Sequence, residues 1–460
     1  MALIKSISGI RGTIGGKPGE SLSPIDVVKY TAAFGQWAVA SGNTKIIIGR
    51  DGRISGPPIS QLVAQTLVAV GAHVIDLGLS TTPTVEYEVV AEHAAGGIII
   101  TASHNPKEWN ALKLLNEKGE FISAEVGADI LNTADQNDFN FNTVDRFGSY
   151  TLATNHMDRH LNAINNYPLV DSKAIEQKKF KVVVDAINSS GAIFVPALLK
   201  QLGLDESNII VLNAEVNGKF AHNPEPLPQH LNELSAAVIA HKADLGIAVD
   251  PDVDRLVLVC EDGSMFGEEY TLVAVSDYVL SKRKGNTVSN LSSTRALKDI
   301  TEQRGGEYFP AAVGEVNVVT KMKEVSAVIG GEGNGGIIVP DFHYGRDALI
   351  GIALILTHLA QSGKSLKQLR NGYPDYFISK NKIELSSGIN LKEIFQKIQE
   401  KYRTNKINTI DGLRIDFDTD WVHLRASNTE PIIRIIAESR FETTANNIAI
   451  KLIKDIQEAL

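Results

Sequence analysis

Short runs of uninterrupted apolar residues recur along this chain, and each stops at a polar or glycine-containing turn. Lys45-Ile46-Ile47-Ile48 runs into Gly49-Arg50-Asp51, is followed by a helix-period segment from Ile59 to Val70, and then by His73-Val74-Ile75-Asp76. Lys181-Val182-Val183-Val184-Asp185 repeats the order, with Asn188-Ser189-Ser190-Gly191 as its turn, a helix over 192–202 and a strand at Ile209-Ile210-Val211. A weaker third copy runs from Asn286 to Leu291, turns at Ser292-Ser293-Thr294, and continues through a helix to Glu307-Tyr308-Phe309. Strand, polar turn, helix and strand make a βαβ unit. Continuous rather than alternating apolar runs mark strands covered on both faces, as in a parallel or mixed sheet. The chain is therefore expected to form three related α/β domains with mixed sheets.

The last ~85 residues differ in pattern. Gly372-Tyr373-Pro374 reads as a linker. It precedes a strand over 381–385, a helix over 391–402, a hairpin signal at Asp411-Gly412, strands over 421–424 and 432–437, and an amphipathic helix over 443–460. This is a smaller α+β domain. With further boundaries near Tyr150 and near Asp262-Gly263, the 460 residues are expected to divide into 1–150, 151–260, 261–372 and 373–460.

Charge and cysteine usage narrow the function classes. A formal net charge of −9, with no basic run of five or more, argues against a broad nucleic-acid-binding surface. The lone Cys260 makes no internal disulfide and no cysteine zinc site, which fits a reducing cytosol. It sits in the apolar stretch Leu256–Cys260 and reads as core filler. The N-terminus lacks a charged region followed by an apolar one, and no stretch approaches the ~20 apolar residues of a membrane span. The expectation is a cytoplasmic chain with no membrane partner.

Four segments carry chemistry. Thr101-Ala102-Ser103-His104-Asn105-Pro106 directly follows the apolar run Gly97-Ile98-Ile99-Ile100. A buried strand ending there holds a hydroxyl at the carboxyl edge of a sheet, where open α/β folds bind ligands. Ser103 beside His104 pairs a nucleophile with a proton acceptor. Asp250-Pro251-Asp252-Val253-Asp254-Arg255 lies between two apolar runs, and three alternate carboxylates suit a hard divalent cation. A calcium loop does not fit: Arg255 stands where that loop needs glycine, and the flanks look like strands. Gly330-Gly331-Glu332-Gly333-Asn334-Gly335-Gly336 allows close approach of a ligand, and Glu332 and Asn334 offer acceptors and a donor for sugar hydroxyls. Arg425-Ala426-Ser427-Asn428-Thr429-Glu430-Pro431, with Arg434 shortly after, gathers a guanidinium, hydroxyls and an amide into a phosphate cradle. Arg11 and Lys113 add cations that would neutralise a phosphoryl group in transfer.

Taken together, these segments resemble the α-D-phosphohexomutases, the superfamily of phosphoglucomutase, phosphomannomutase and phosphoglucosamine mutase. The likeness runs from Ile10-Arg11-Gly12 to Arg434, with the four signature loops in order. It implies four domains around a central cleft. Ser103 would be the phosphorylated residue, and Asp250, Asp252 and Asp254 would bind Mg²⁺ with Ser103 as a further ligand. Arg11, His104, Lys113 and Arg255 would face the reacting phosphate. Glu332 and Asn334 would contact the sugar, while Arg425, Ser427, Asn428, Thr429 and Arg434 would hold the distal phosphate. The implied reaction moves a phosphoryl group between C1 and C6 of a hexose phosphate through a hexose 1,6-bisphosphate intermediate, in a monomer or homodimer. His104 and Lys113 both remain candidates for the general base. The loop G-E-G-N-G-G departs from the common G-E-x-S-G-H and looks like the archaeal-type phosphoglucosamine mutase branch. Gly336, in place of histidine, is expected to leave room for the C2 substituent of glucosamine phosphate. A phosphomannomutase or phosphoglucomutase is the alternative, ahead of a phosphosugar phosphatase or a non-catalytic phosphosugar-binding protein.

Overall fold

The computed structural model describes residues 2–6, 9–384, 390–426 and 432–459. They form four sheets. The first has seven strands in the order Leu3–Ser6, Gly9–Thr13, Trp109–Leu115, Gly96–Ile100, Lys45–Arg50, His73–Leu79 and Tyr150–Leu152. Its middle is parallel, Gly96–Ile100 beside Lys45–Arg50 beside His73–Leu79, and Trp109–Leu115 runs antiparallel against Gly96–Ile100. The second sheet orders Leu256–Cys260, Leu245–Val249, Val182–Asp185 and Ile209–Leu212, and only its first pair is antiparallel. The third orders Tyr308–Ala311, Asn286–Asn290, Ala327–Glu332 and Gly336–Ile338, again with one antiparallel pair at the edge. The fourth is wholly antiparallel: Phe377–Glu384, Ile432–Ser439, Trp421–Ala426, Leu413–Asp416 and Lys406–Asn408. Three mixed α/β sheets and a smaller C-terminal α+β unit match the class expected from the apolar runs.

One rule places the chemistry. In each sheet a strand folds back on its neighbour as an antiparallel hairpin, and the connection of that hairpin is one of the four singled-out segments. Residues 101–108 join Gly96–Ile100 to Trp109–Leu115, 250–255 join Leu245–Val249 to Leu256–Cys260, and 333–335 join Ala327–Glu332 to Gly336–Ile338. Residues 427–431, which lie outside the described residues, join Trp421–Ala426 to Ile432–Ser439. Asp411 and Gly412 lie in the connection between Lys406–Asn408 and Leu413–Asp416, as their hairpin signal required.

The helix after Lys45–Arg50 spans Gly56–Val70, three residues earlier than the periodicity indicates, because Pro57 and Pro58 occupy its first turn, where no backbone N–H is needed. The second and third sheets share one continuous core from Leu161 to Tyr376. The helix Ala348–Ser362 is apolar on almost every side and is buried there, as such a helix must be. The first and fourth sheets keep separate cores. Among the described residues no helix is long and apolar enough to cross a membrane. Cys260 is buried, and that burial pushes its thiol up to about 11.

In the first unit, helix Pro24–Val39 lies so close to Gly56–Val70 that a Cβ on Gly35 would come within 2.9 Å of Leu67 Cδ2. Leu67 itself is fully buried. Leu67→Ala should therefore destabilise this unit by about 2–5 kcal/mol, the range for a buried leucine whose cavity cannot collapse. Urea unfolding of the full chain, followed by a probe in the first unit, reads this directly.

Candidate active site

Ser103 sits just past a strand with no exposed residue, in a left-handed conformation with φ 48° that turns its hydroxyl off the sheet edge. Its amide donates to Thr101 Oγ1 at 2.9 Å, and its hydroxyl donates to Asp250 Oδ2 at 2.7 Å. His104 Nδ1 lies 3.4 Å from Ser103 Oγ. Burial holds this imidazole well below its usual range, with Arg255 and Arg11 adding to the effect, so it is neutral near pH 7.

The turn is fixed by Arg53, which sequence reasoning missed. Its guanidinium is fully buried and donates to the carbonyls of Ser103 (2.5 Å), Asn105 (2.7 Å), Pro106 (2.7 Å) and Trp109 (3.0 Å). Nε donates to Asp51 Oδ2 at 3.0 Å, and that oxygen also accepts the Thr101 hydroxyl at 2.7 Å. The signal was Arg50-Asp51-Gly52-Arg53, charge at the end of an otherwise apolar strand.

Asp250, Asp252 and Asp254 are buried, with ligand atoms within 4.8 Å of one another. Asp250 Oδ1 accepts the amides of Asp254 (3.2 Å) and Arg255 (3.1 Å). Lys113 Nζ donates to Asp252 Oδ2 at 2.7 Å and lies 3.5 Å from Asp254 Oδ2. The Thr82 hydroxyl donates to Asp252 Oδ2 at 2.6 Å. Burial pulls the Lys113 ammonium down, but the two carboxylates outweigh it and its pKa ends raised. Lys113 is therefore a fixed cation. Burial and the charges of Asp254 and Asp252 push Asp250 well up. Asp252 Oδ1 and Asp254 Oδ1 are buried without a hydrogen-bond partner. Three converging carboxylates with two orphaned oxygens fit a hard divalent cation such as Mg²⁺.

The third unit holds a second missed residue. Arg346 is buried and donates to three carboxylates: Asp254 Oδ2 at 2.7 Å, Glu315 Oε2 at 2.9 Å and Glu332 Oε2 at 2.9 Å. Glu332 Oε1 accepts from Asn290 Nδ2 (2.9 Å) and the Gly314 amide (3.1 Å). Burial raises Glu315 to about 7. The expected room at Gly336 is absent: a Cβ there would stand 2.3 Å from Arg346 Cδ, so the glycine makes way for this arginine rather than for a substrate group. Asn334 Oδ1 accepts the Gly336 amide at 3.2 Å and shapes the turn. The signal for Arg346 was Gly345-Arg346-Asp347, two charges between an apolar strand and an apolar helix.

A cavity of about 400 Å³ joins these parts, lined by Arg11, Ser103, His104, Lys113, Arg255, Glu315, Glu332, Arg346 and Arg425. Arg11 Nη1 donates to Asn105 Oδ1 at 3.3 Å. Arg425 pairs with Asp411 at 2.9 Å. Ser427, Asn428 and Thr429 lie outside the described residues. Asn334 and Arg434 do not line the cavity. Arg434 stands directly opposite Arg425 on one neighbour and opposite Lys382 on the other, so three cations form one cross-strand row. Directly opposed like charges are unfavourable unless an anion bridges them.

Three α/β units and a smaller fourth, which contribute Ser103, Arg255, Glu332 and Arg425 to one cation-lined cavity, define the phosphohexomutase class of isomerases. Models of domains I, II, III and the C-terminal domain of phosphoglucomutase/phosphomannomutase match residues 3–141, 158–263, 267–376 and 382–454, and the chain belongs to that family. It is similar to a phosphoglucomutase/phosphomannomutase of Thermococcus kodakarensis, 35% identical over 98% of each chain. It is also similar to a phosphoglucosamine/phosphogalactosamine mutase of Sulfurisphaera tokodaii, 32% identical over 99% of this chain and 100% of that one. A crystal structure of a phosphoglucomutase/phosphomannomutase family protein from Burkholderia thailandensis superposes with TM-score 0.87 at 26% identity, covering 99% of this chain and 97% of that one.

Arg53→Ala removes the donor common to four loop carbonyls and leaves Asp51 buried without its partner. A loss of about 3–5 kcal/mol in stability is expected, along with a fall in kcat of at least tenfold in protein that remains folded at low temperature. Thermal unfolding and single-turnover assays check the two parts separately.

Proposed function

We propose that this chain is a phosphohexomutase whose preferred substrate is glucosamine phosphate, with glucose and mannose phosphates turned over less efficiently. The observation that carries the substrate choice is that two carboxylates, Glu315 and Glu332, line the cavity that Ser103 faces. Glucose and mannose phosphates bring only hydroxyls to that wall, whereas the C2 ammonium of glucosamine phosphate brings a positive charge. The similarity to a relative named for glucosamine and galactosamine phosphates supports the same reading. In this proposal residues 1–150 carry the serine loop, 151–260 the metal loop, 261–372 the sugar loop and 373–460 the phosphate loop. A cytoplasmic location rests on the lone, buried cysteine.

Ser103, carrying a phosphoryl group on Oγ, donates it to the free hydroxyl of the hexose phosphate. The P–O bond to serine breaks as the P–O bond to the sugar forms, and the sugar hydroxyl loses its proton. His104 is the candidate acceptor, being neutral and 3.4 Å from Ser103 Oγ. The resulting hexose 1,6-bisphosphate turns around, and Ser103 Oγ recovers the other phosphoryl group. Arg11, Lys113 and Arg255 offset charge on the transferring group, the main protein contribution to such a reaction. Asp250, Asp252, Asp254 and the Ser103 oxygen would hold Mg²⁺, which when bound neutralises charge on the phosphoryl oxygens. Arg425, Ser427, Asn428, Thr429 and Arg434 hold the phosphate that is not reacting, in either orientation. Closure of the cavity over the bound sugar would keep water from phospho-Ser103, which lines it.

Ser103→Ala is expected to lower turnover by several orders of magnitude with the fold intact, and intact-mass analysis of the unmutated chain should find phosphate on Ser103. Phosphate on another residue, with an active Ser103→Ala chain, overturns the role. Chelation should abolish activity and added Mg²⁺ restore it. In competition among the 1-phosphates of glucosamine, glucose and mannose, glucosamine should lead in kcat/KM by roughly tenfold, a difference of 1–3 kcal/mol being what one contact supplies. Glu315→Gln should erode that lead. A parent that prefers glucose or mannose phosphate by tenfold refutes the substrate choice and leaves the mutase reading standing.

A further inference from the structure

Behind the catalytic cavity lies a cluster that the reaction does not use. His160, on the helix His156–Asn165, is fully buried, as is Asp347; His343 precedes Asp347 by four residues. Each histidine Nε2 is 3.2 Å from the same oxygen, Asp347 Oδ2. One ligand atom from each of the three residues lies within 4.8 Å of the others.

Three features separate this arrangement from an ordinary buried ion pair. First, His160 Nε2 is close to Asp347 Oδ2 yet makes no hydrogen bond, so its axis does not point at the oxygen. Second, two of the three groups are anchored on their far side. His160 Nδ1 is 2.9 Å from Thr84 Oγ1, and Asp347 Oδ1 accepts the amides of Leu349 (2.7 Å) and Ile350 (3.3 Å), whereas His343 is hydrogen-bonded through Nε2 to Asp347 Oδ2 and its Nδ1 has no hydrogen-bond partner. A histidine that donates its outer N–H to a hydroxyl or carboxylate turns a lone pair inward, which is how metal-ligating histidines are oriented. Third, Glu86 is 1% exposed and neither carboxylate oxygen has a hydrogen-bond partner. Burial pushes this carboxyl well up, and a cation placed close by would let it ionise. The His160 ring is held between Tyr87 and Phe342, with stacked centroids at 5.0 and 5.6 Å.

We propose that His160 Nε2, His343 Nε2 and Asp347 Oδ2 form a second metal site, for a divalent transition ion of the zinc type, separate from the three-aspartate site. Ligand atoms about 3.3 Å apart are what a tetrahedron with bonds of ~2.0–2.1 Å requires, and two of the three separations are 3.2 Å. Two imidazoles and one carboxylate select a transition ion over Mg²⁺, which takes oxygen ligands. Three protein ligands leave a fourth position for water, and Glu86 lies 3.6 Å behind His343. The ligands come from two distant segments, with Thr84 and Glu86 from a third, so the ion would tie three parts of the chain together. It would also fix Asp347, whose neighbour Arg346 holds the cavity carboxylates.

The test uses the full chain, stripped with chelator and reconstituted with Zn²⁺, with metal content measured after desalting. An Asp252→Asn background silences the aspartate loop as a competing zinc site. That chain should retain one equivalent of zinc, and adding His343→Gln should reduce it below a tenth. In the unmutated chain, Co²⁺ should give the intense visible bands of tetrahedral cobalt, a readout that stands even where a variant fails to fold. No retained transition metal, only the weak bands of six-coordinate cobalt, or unchanged zinc in the folded His343→Gln chain overturns the proposal. None of these outcomes bears on the mutase reading.

Discussion

The guanidinium of Arg346 is shared by Asp254 of the three-aspartate loop, Glu332 at the end of the strand Ala327–Glu332 and Glu315 at the start of the helix Glu315–Glu324. Three carboxylates cannot stay charged in a desolvated pocket without such a centre. The arrangement does more than balance charge. Glu332 in the third unit and Asp254 in the second are held by one rigid planar group, so neither loop can shift alone. Gly336 has no side chain because the stem of that arginine passes over it.

Much of the fold was legible because continuous apolar runs report strands buried on both faces. The runs at Lys45, Lys181 and Asn286 each became a parallel strand with its helix, and the fourth unit followed the order of strands and helices read for it. The N-terminal pair Leu3–Ser6 and Gly9–Thr13 went unread: the first strand is short and half-exposed, so no periodicity marks it. The fusion of the second and third cores was equally invisible, since burial of the helix Ala348–Ser362 from two sides is a tertiary fact.

The site divides in the same way. Ser103, the three aspartates and Glu332 announce themselves because several polar or glycine residues cluster locally between apolar strands. Arg53 and Arg346 do not, because their meaning lies in partners far along the chain: Arg53 reaches carbonyls about fifty residues away, and Arg346 reaches back to Asp254. A single buried arginine at a strand end looks like a surface charge until its acceptors are known. Every functional segment sits in the connection of a hairpin. The paired strands fix where each turn begins and ends, and Arg53 and Arg346 fix the turns themselves from far along the chain.

The row Lys382, Arg434 and Arg425 gives the fourth sheet an unusual energetic character. Asp411 offsets Arg425, and Glu384 lies 3.7 Å from Lys382, but the opposed cations still weaken the pairing of the strands that carry them. Opposed charges on paired strands are worth roughly 0.2–1 kcal/mol per pair in either direction. An anion lying across the row would reverse the sign of that contribution, so that in the proposed phosphate role of Arg425 and Arg434 the cohesion of these strands and the occupancy of the site would be thermodynamically linked.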